Sequence, residues 1–278
     1  MLKPMLCKDD LPKFVKHVGS LKNSYWSIKK DGVRCIADPI DHTYTSRNGK
    51  LFPNFHVFND DLTTLAEYIS RKYDIVPYFD GEVVSKVSGF QKLMTQVRRL
   101  KEVDPSIFRF EVFDIAVEGL PFHERYSILC DAFRAVGSKL ENTSLLVHHE
   151  SHFETEQEVI EHVEWLVEVC GEEGIVLKSR DGLYEGKKSI EWCKVKKFET
   201  VDLNVTGVQP GTGKHKGRMG ALLCNYEGHE VKVGTGFSDV EREEFMERPP
   251  AMIEVKYQEK TKAGSLRFPA FIRVREDK

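Results

Sequence analysis

At 278 residues, with 40% hydrophobic and 31% charged side chains, the chain can pack one large or two modest domains, which excludes wholesale disorder. No apolar run approaches the ~20 residues of a bilayer span, acids at Asp9 and Asp10 come too early for a secretory leader, and the six cysteines include no C-x-x-C pair. A cytoplasmic protein with reduced thiols and no structural zinc is therefore expected. The net charge of −3 does not exclude a nucleic-acid partner, because residues 141–173 hold ten acids and no Lys or Arg, leaving the rest of the chain basic.

In chain order, alternation predicts short strands at 25–29, 79–84, 108–115, 174–178 and 191–196. Helical spacing predicts helices over 56–72 and over 122–136, the second stopping at Gly137. A third opens at the capping box Thr155-Glu156-Gln157-Glu158, ends at Gly171, and carries its acids on a solvated face. From residue 201 the texture changes to five strands, 201–208, 219–226, 230–233, 252–258 and 267–274, with Gly-rich or charged turns. Five short strands in a row suit a small closed barrel of the oligonucleotide-binding type. The expected class is α+β: a first domain (1–199) of antiparallel sheets flanked by helices, then an all-β barrel (200–278).

Functional side chains recur at two-residue spacing in several of these strands. In Lys29-Lys30-Asp31-Gly32-Val33-Arg34, alternation puts Lys29 and Asp31 on one side, and Gly32 permits an immediate turn. Asp80 and Glu82, then Glu111 and Phe113 with Asp114 next, repeat the spacing; Glu173 and Lys178 bracket another strand; Trp192, Lys194 and Lys196 share a side. Lysine on the buried face of a sheet needs an anion to compensate it, so the recurrence points to an anionic ligand. Singly, each has a plainer reading: Phe113 as a core aromatic, Trp192 as packing, and His148, His149 and His152 as surface residues.

Taken in order, Lys29-Lys30-Asp31-Gly32-Val33-Arg34, Ser46-Arg47-Asn48-Gly49, Phe79-Asp80-Gly81-Glu82, Phe110-Glu111-Val112-Phe113-Asp114, Glu173-Gly174-Ile175-Val176-Leu177-Lys178 and Trp192-Cys193-Lys194-Val195-Lys196 resemble the motifs of the covalent nucleotidyltransferases. The tail, Ser265-Leu266-Arg267-Phe268-Pro269-Ala270-Phe271-Ile272-Arg273-Val274-Arg275-Glu276-Asp277-Lys278, resembles the last motif of ATP-dependent DNA ligases. The resemblance covers nearly the whole chain and implies an adenylation domain followed by an OB-fold domain. It implies that Lys29 attacks the α-phosphate of ATP and holds AMP as a phosphoramidate. A nucleophilic lysine needs cationic neighbours that favour its neutral form, and Lys30, Lys178, Lys194 and Lys196 are implied in that role.

By the same resemblance Glu173 and Asp31 hold the metal, expected to be Mg²⁺ with Mn²⁺ as a substitute. Arg34 and Glu82 contact the ribose, with Glu82 as a second metal ligand left open. Phe113 stacks on adenine, and Lys194 and Lys196 contact the α-phosphate. Arg47 receives the 5′-phosphate of a DNA nick, and Arg275 and Lys278 steer pyrophosphate. The expected partner is nicked duplex DNA, bound by a monomer with no obligate protein partner. Only 28 residues precede Lys29, which leaves no room for the extra module of NAD-dependent ligases, so ATP is the expected donor.

Two basic stretches extend the expected DNA contact. Gly211-Thr212-Gly213-Lys214-His215-Lys216-Gly217 lacks the first Gly and the final Ser/Thr of a P-loop, and is read as a barrel loop placing Lys214, Lys216 and Arg218 on phosphates. Lys92, Arg98, Arg99 and Lys101 are read as a flank against the duplex, with a solvated helix face as the plain alternative. The turn Glu227-Gly228-His229 is too tight for the DNA-clasping insertion of small viral ligases. An RNA ligase or capping guanylyltransferase, and a catalytically inactive nick-binding module, remain the alternatives.

Overall fold

A computed structural model describes residues 2–87, 90–97, 104–261 and 264–275. The chain divides into two units, Met1–Val195 and Lys196–Lys278.

The first unit contains two five-stranded sheets. Its strands in chain order are β1 (Leu6–Lys8), β2 (Ser24–Ile28), β3 (Val33–Asp38), β4 (Thr43–Thr45), β5 (Tyr78–Ser85), β6 (Phe108–Ala116), β7 (Thr143–Leu145), β8 (His149–Glu150), β9 (Ile175–Ser179) and β10 (Lys188–Val195). One sheet runs β1-β10-β9-β2-β8 and the other β4-β3-β5-β6-β7. The end strands β1 and β7 pair in parallel; the other ladders are antiparallel. The five predicted strands are all present, displaced by at most three residues at their ends, and β1, β3, β4, β7 and β8 were not expected.

Five helices serve this unit: α1 (Leu11–Val18), α2 (Asn59–Tyr73), α3 (Phe90–Val97), α4 (Phe122–Val136) and α5 (Glu156–Cys170). Leu62, Leu65 and Ile69 of α2 and Leu129 and Ala132 of α4 recur at helical spacing. They bury against Phe79, Phe110, Val112 and Ile115 of the second sheet. Leu11 and Phe14 of α1 and Val159, Val163 and Leu166 of α5 cover Ile175, Leu177 and Cys193 of the first. The N-terminus of α5 departs from a reciprocal capping box: Thr155 accepts from the Glu158 amide, but Glu158 Oε2 takes the amide of Glu154. The short α1, with Pro12 in its first turn, was not expected.

Two local features shape the second sheet. Asp80 pairs with Asp114 and Gly81 with Val112, so Phe113 is the extra residue of a β-bulge. Glu111 and Phe113 therefore do not simply repeat an alternation; the bulge re-aims Phe113. Gly32 has no positive φ. A Cβ there would lie 2.5 Å from the Val83 carbonyl, so glycine answers close approach to β5, not the turn expected of it.

The second unit contains β11 (Glu199–Pro210), β12 (Met219–Tyr226), β13 (His229–Val233), α6 (Asp239–Glu247), β14 (Met252–Tyr257), the two-residue strands β15 (Glu259–Lys260) and β16 (Leu266–Arg267), and β17 (Ala270–Val274). Its main sheet runs β13-β12-β11-β14-β17, and the Phe271 amide donates to Thr235 O at 2.9 Å, joining the two ends of the sheet. Glu227 and Gly228, both at positive φ, make the tight β12–β13 hairpin. Helix α6 was missed although Ser238 and Glu241 form a reciprocal capping box; Phe245 from it enters the barrel core with Val233 and Phe271.

Gly81→Ala tests the packing of the central strand, because an added Cβ would stand 2.5 Å from the Glu111 carbonyl and 2.6 Å from the Phe110 ring. A loss of about 1–3 kcal/mol in guanidinium unfolding is expected. An unchanged midpoint would contradict the assigned register.

Candidate active site

A cleft is lined by both sheets of the first unit. From the first sheet come Cys7, Ser27, Ile28, Val176, Lys178 and Trp192; from the second come Arg34, Glu82 and Phe113. Alternation along β9 explains part of this lining, since Ile175 and Leu177 face the helices and Val176 and Lys178 face the cleft.

Lys29 and Lys30 lie just beyond β2. The expected strand alternation of Lys29 and Asp31 is therefore not what places them; Asp31 is exposed and does not line the cleft. Instead, the Lys29 amide donates to Gly174 O at 2.8 Å, one step past the last ladder pair, Ile28 with Ile175. This bond seats Lys29 beside Glu173, and Lys29 Nζ forms an ion pair with Glu173 Oε2. Lys30 also lines the cleft, 3.9 Å from both Glu111 and Glu172.

Arg34 is held bidentately by Asp80, from Nε at 2.5 Å and Nη2 at 2.6 Å, and Nη2 also reaches Met5 O at 3.1 Å. The Tyr184 hydroxyl donates to Asp80 Oδ2 at 2.7 Å. Asp80 is thus a buried clamp, not a second cleft carboxylate. Burial disfavours the Arg34 charge, but Asp80 outweighs it and keeps the guanidinium firmly protonated. The guanidinium lies 4.6 Å from the centre of the Phe113 ring.

Lys178 is 2% exposed, and its Nζ donates to Phe113 O at 3.0 Å and approaches Asp114 Oδ2 at 3.4 Å. It stands 4.2 Å from the Trp192 ring. Trp192 is both buried packing and cleft wall. Burial lowers the Lys178 amine to about 8, with Asp114 and Asp80 pulling the other way. Desolvation in the cleft pushes Glu82 up to about 7, against Arg34 and Lys29 and helped by Glu173 and Asp80.

The remaining expected residues lie elsewhere. Arg47 is exposed in the turn after β4. Lys194, on β10, sits 3.6 Å from Asp9 and does not line the cleft. Lys196 falls past the end of β10, so it shares no strand face with Trp192 and Lys194; it belongs to the second unit, 3.4 Å from Gln258 Oε1. Arg275 pairs with Glu254 at 3.3 Å and Asp202 at 3.7 Å.

Lys214 and Lys216 are exposed at the single 3-10 turn Gly213–His215. Arg218, expected with them on phosphate, pairs here with Asp239 at 3.2 Å and Glu243 at 2.6 Å of α6. His148, expected at the surface, is buried, and burial holds its imidazole well below the usual range. Arg98, Arg99, Lys101, Lys278 and the side chain of Lys92 lie outside the described residues.

Among the described residues, no group of three or more His, Cys, Asp or Glu is arranged to hold a metal ion. Glu173 and Asp31 each carry the hard carboxylate oxygens that magnesium takes alongside substrate phosphates. Sequence reasoning missed Cys7 and Leu146 at the cleft, and Tyr184 bonded to Asp80. Nothing in their local sequence marks them, because each arrives by pairing across the fold.

A carbon-13 titration of the Glu82 carboxyl should read a midpoint near 7. Arg34→Ala removes the cation that lowers it, so the midpoint should climb; a value in the ordinary carboxylate range would refute this electrostatic picture.

Among the described residues, no helix is long and apolar enough to cross a membrane. The family model "ATP dependent DNA ligase domain" matches residues 4–196, and "DNA ligase OB-like domain" matches residues 210–275. A DNA ligase of Natronomonas pharaonis is 28% identical over 299 residues, covering 90% of this chain and 51% of its own. A DNA ligase 1 of Methanosarcina mazei is 32% identical over 285 residues, covering 78% and 48%. The chain spans about half the length of these curated relatives. A solved structure described as "DNA binding with a minimal scaffold: Structure-function analysis of Lig E DNA ligases" has a TM-score of 0.75 at 25% identity, covering 99% of this chain and 100% of the other.

Proposed function

The chain belongs to the ATP-dependent DNA ligase family, and on that premise we propose that it seals 5′-phosphate/3′-hydroxyl nicks in duplex DNA through a lysyl-AMP intermediate. One observation carries the reading: Lys29 Nζ stands at a cleft whose wall supplies three further cations, Lys30, Arg34 and Lys178, and an aromatic ring, Phe113. This is the chemistry a nucleotide needs, with phosphate-seeking charge beside a flat apolar face.

In the first step Lys29 Nζ forms a bond to the α-phosphorus of ATP while the bond to the β-phosphate oxygen breaks and pyrophosphate leaves. Glu173, the ion-pair partner, is the group at hand to receive the amine's proton. Lys178 and Arg34 draw charge from the phosphates and ribose, and Glu82 accepts from the ribose hydroxyls. Lys194, Lys196, Arg275 and Lys278 are assigned to the α-phosphate and the departing pyrophosphate. Glu173 and Asp31 would hold a magnesium ion, which when bound neutralises phosphate charge.

The nick's 5′-phosphate, received by Arg47, then displaces Lys29 to give a DNA-adenylate. Attack by the 3′-hydroxyl joins the strands and releases AMP. Lys214 and Lys216 contact backbone phosphates, as do Lys92, Arg98 and Arg99. The protein acts as a monomer in DNA replication or repair.

The test is incubation with labelled ATP and magnesium, followed by nicked duplex. Label should attach to the wild-type protein and leave as the nick is sealed; GTP should not substitute. Lys29→Ala should abolish attachment while nick binding persists. Attachment retained in that variant would reassign the nucleophile.

Nick affinity should also fall steeply with salt, by about 0.9 log unit per log unit of salt for each phosphate neutralised. Lys214→Ala with Lys216→Ala should reduce that slope by about 2 in anisotropy titrations. A salt-independent affinity would argue against phosphate-dominated binding.

A further inference from the structure

Behind Lys178 lies an ionic network that the nucleotide chemistry above leaves unused. Arg125, on α4, is fully buried, as is Asp114 at the β6 bulge. Arg125 Nε and Nη2 donate to the two Asp114 oxygens at 2.8 and 3.1 Å, and Nη1 donates to Leu120 O at 2.6 Å and Gly182 O at 3.1 Å. Asp114 Oδ1 also accepts the Ile115 amide at 2.8 Å. Lys178 approaches Asp114 only from the side, at 3.4 Å. One carboxylate therefore serves two buried cations, and the bidentate partner holds the larger share.

The charges around Lys178 do not cancel. On β3 and β5, Arg34 and Asp80 neutralise each other. On β1, burial keeps the Cys7 thiol protonated, and before β8 burial keeps the His148 imidazole neutral. Arg125 and Lys178 share Asp114, and the other carboxyl that lines the cleft, Glu82, is pushed up to about 7 by desolvation and so carries only part of its charge near neutral pH. A surplus buried cation is costly unless an anion meets it, and Lys178 is the member of this network that lines the cleft.

We propose that Arg125 is a positioning residue for the nucleotide: by engaging both oxygens of Asp114 it leaves the charge of Lys178 only partly compensated and able to act on the phosphates of ATP. The proposal rests on the ligase reading of the cleft. Without the cation at 125, Asp114 would pair fully with Lys178, draw it from the cleft and hold its proton more tightly. Without the anion at 114, two cations would face each other and Lys178 would shed its proton more easily. These opposite directions separate positioning from mere support of the fold.

The sign of the pH dependence follows. Lys178 is charged below about pH 8 and neutral above it, so its contribution to ATP binding is present below that pH and fades as the pH rises through it. The experiment is the KM for ATP in label attachment by the full chain with magnesium, across about pH 7 to 10.

Wild type should show KM rising with a midpoint near 8. Arg125→Gln should raise KM several-fold at neutral pH and move the midpoint up by about one unit, Asp114→Asn should move it down by about one, and Arg125→Lys, which keeps the charge, should leave it near wild type. Identical midpoints in all four, with KM following only the loss of Tm, would overturn the proposal while leaving the ligase reading intact. Wild-type protein that takes no label at any pH would overturn both. Should the Arg125 and Asp114 variants not fold, Lys178→Arg tests the premise: persistence of the midpoint overturns the proposal, and its loss upholds the assignment of that midpoint to Lys178 on which the proposal stands.

Discussion

A cleft that attracts a polyanion has to gather cations where water cannot screen them, and everything else in the first unit answers that requirement. Two like charges about 6 Å apart repel by roughly 3 kcal/mol at an effective dielectric near 20. The cations here are accordingly set beside carboxylates: Arg34 beside Asp80, Lys29 beside Glu173, Lys178 beside the Asp114 it shares with Arg125, and Lys30 at 3.9 Å from both Glu111 and Glu172. The carboxylates differ in burial and in how completely they are engaged. Asp80 and Asp114 are sealed from solvent and shared with Tyr184 and Arg125 respectively, whereas Glu173 pairs directly with the proposed nucleophile.

The two sheets make this arrangement possible because neither alone carries enough functional groups. The first contributes Lys178 and Trp192, the second Arg34, Glu82 and Phe113. Where regular strand geometry would not deliver a side chain, the chain departs from it. A bulge re-aims Phe113, and a backbone bond from Lys29 to Gly174 extends the β2–β9 register by one residue to bring the lysine to Glu173. Both departures occur where the chemistry is concentrated, in keeping with the use of bulges near active sites.

The second unit answers different demands. Its strands bury a compact apolar core plugged by Phe245, and Lys214 and Lys216 are exposed in the loop between β11 and β12. Arg218, in the same loop, is occupied by α6, so adjacent basic residues are not equivalent: Lys214 and Lys216 are exposed, and Arg218 braces the loop against a helix.

Alternation and periodicity along the chain were enough to place five strands of the first domain, though not β3, with the three longer helices and the barrel strands, while six of the cleft's functional groups, Lys29, Lys30, Arg34, Glu82, Phe113 and Lys178, came from the resemblance of short motifs to a known family. They are legible because local alternation, helical periodicity and short motifs are properties of neighbouring residues. What tertiary structure alone decided is which charge each group meets. Asp80 as the clamp of Arg34, Asp114 divided between Arg125 and Lys178, Arg218 turned onto α6 and His148 drawn into the interior all depend on partners many residues away. Coulombic pairing and burial act through space, and the linear order of residues does not encode the distances on which they depend.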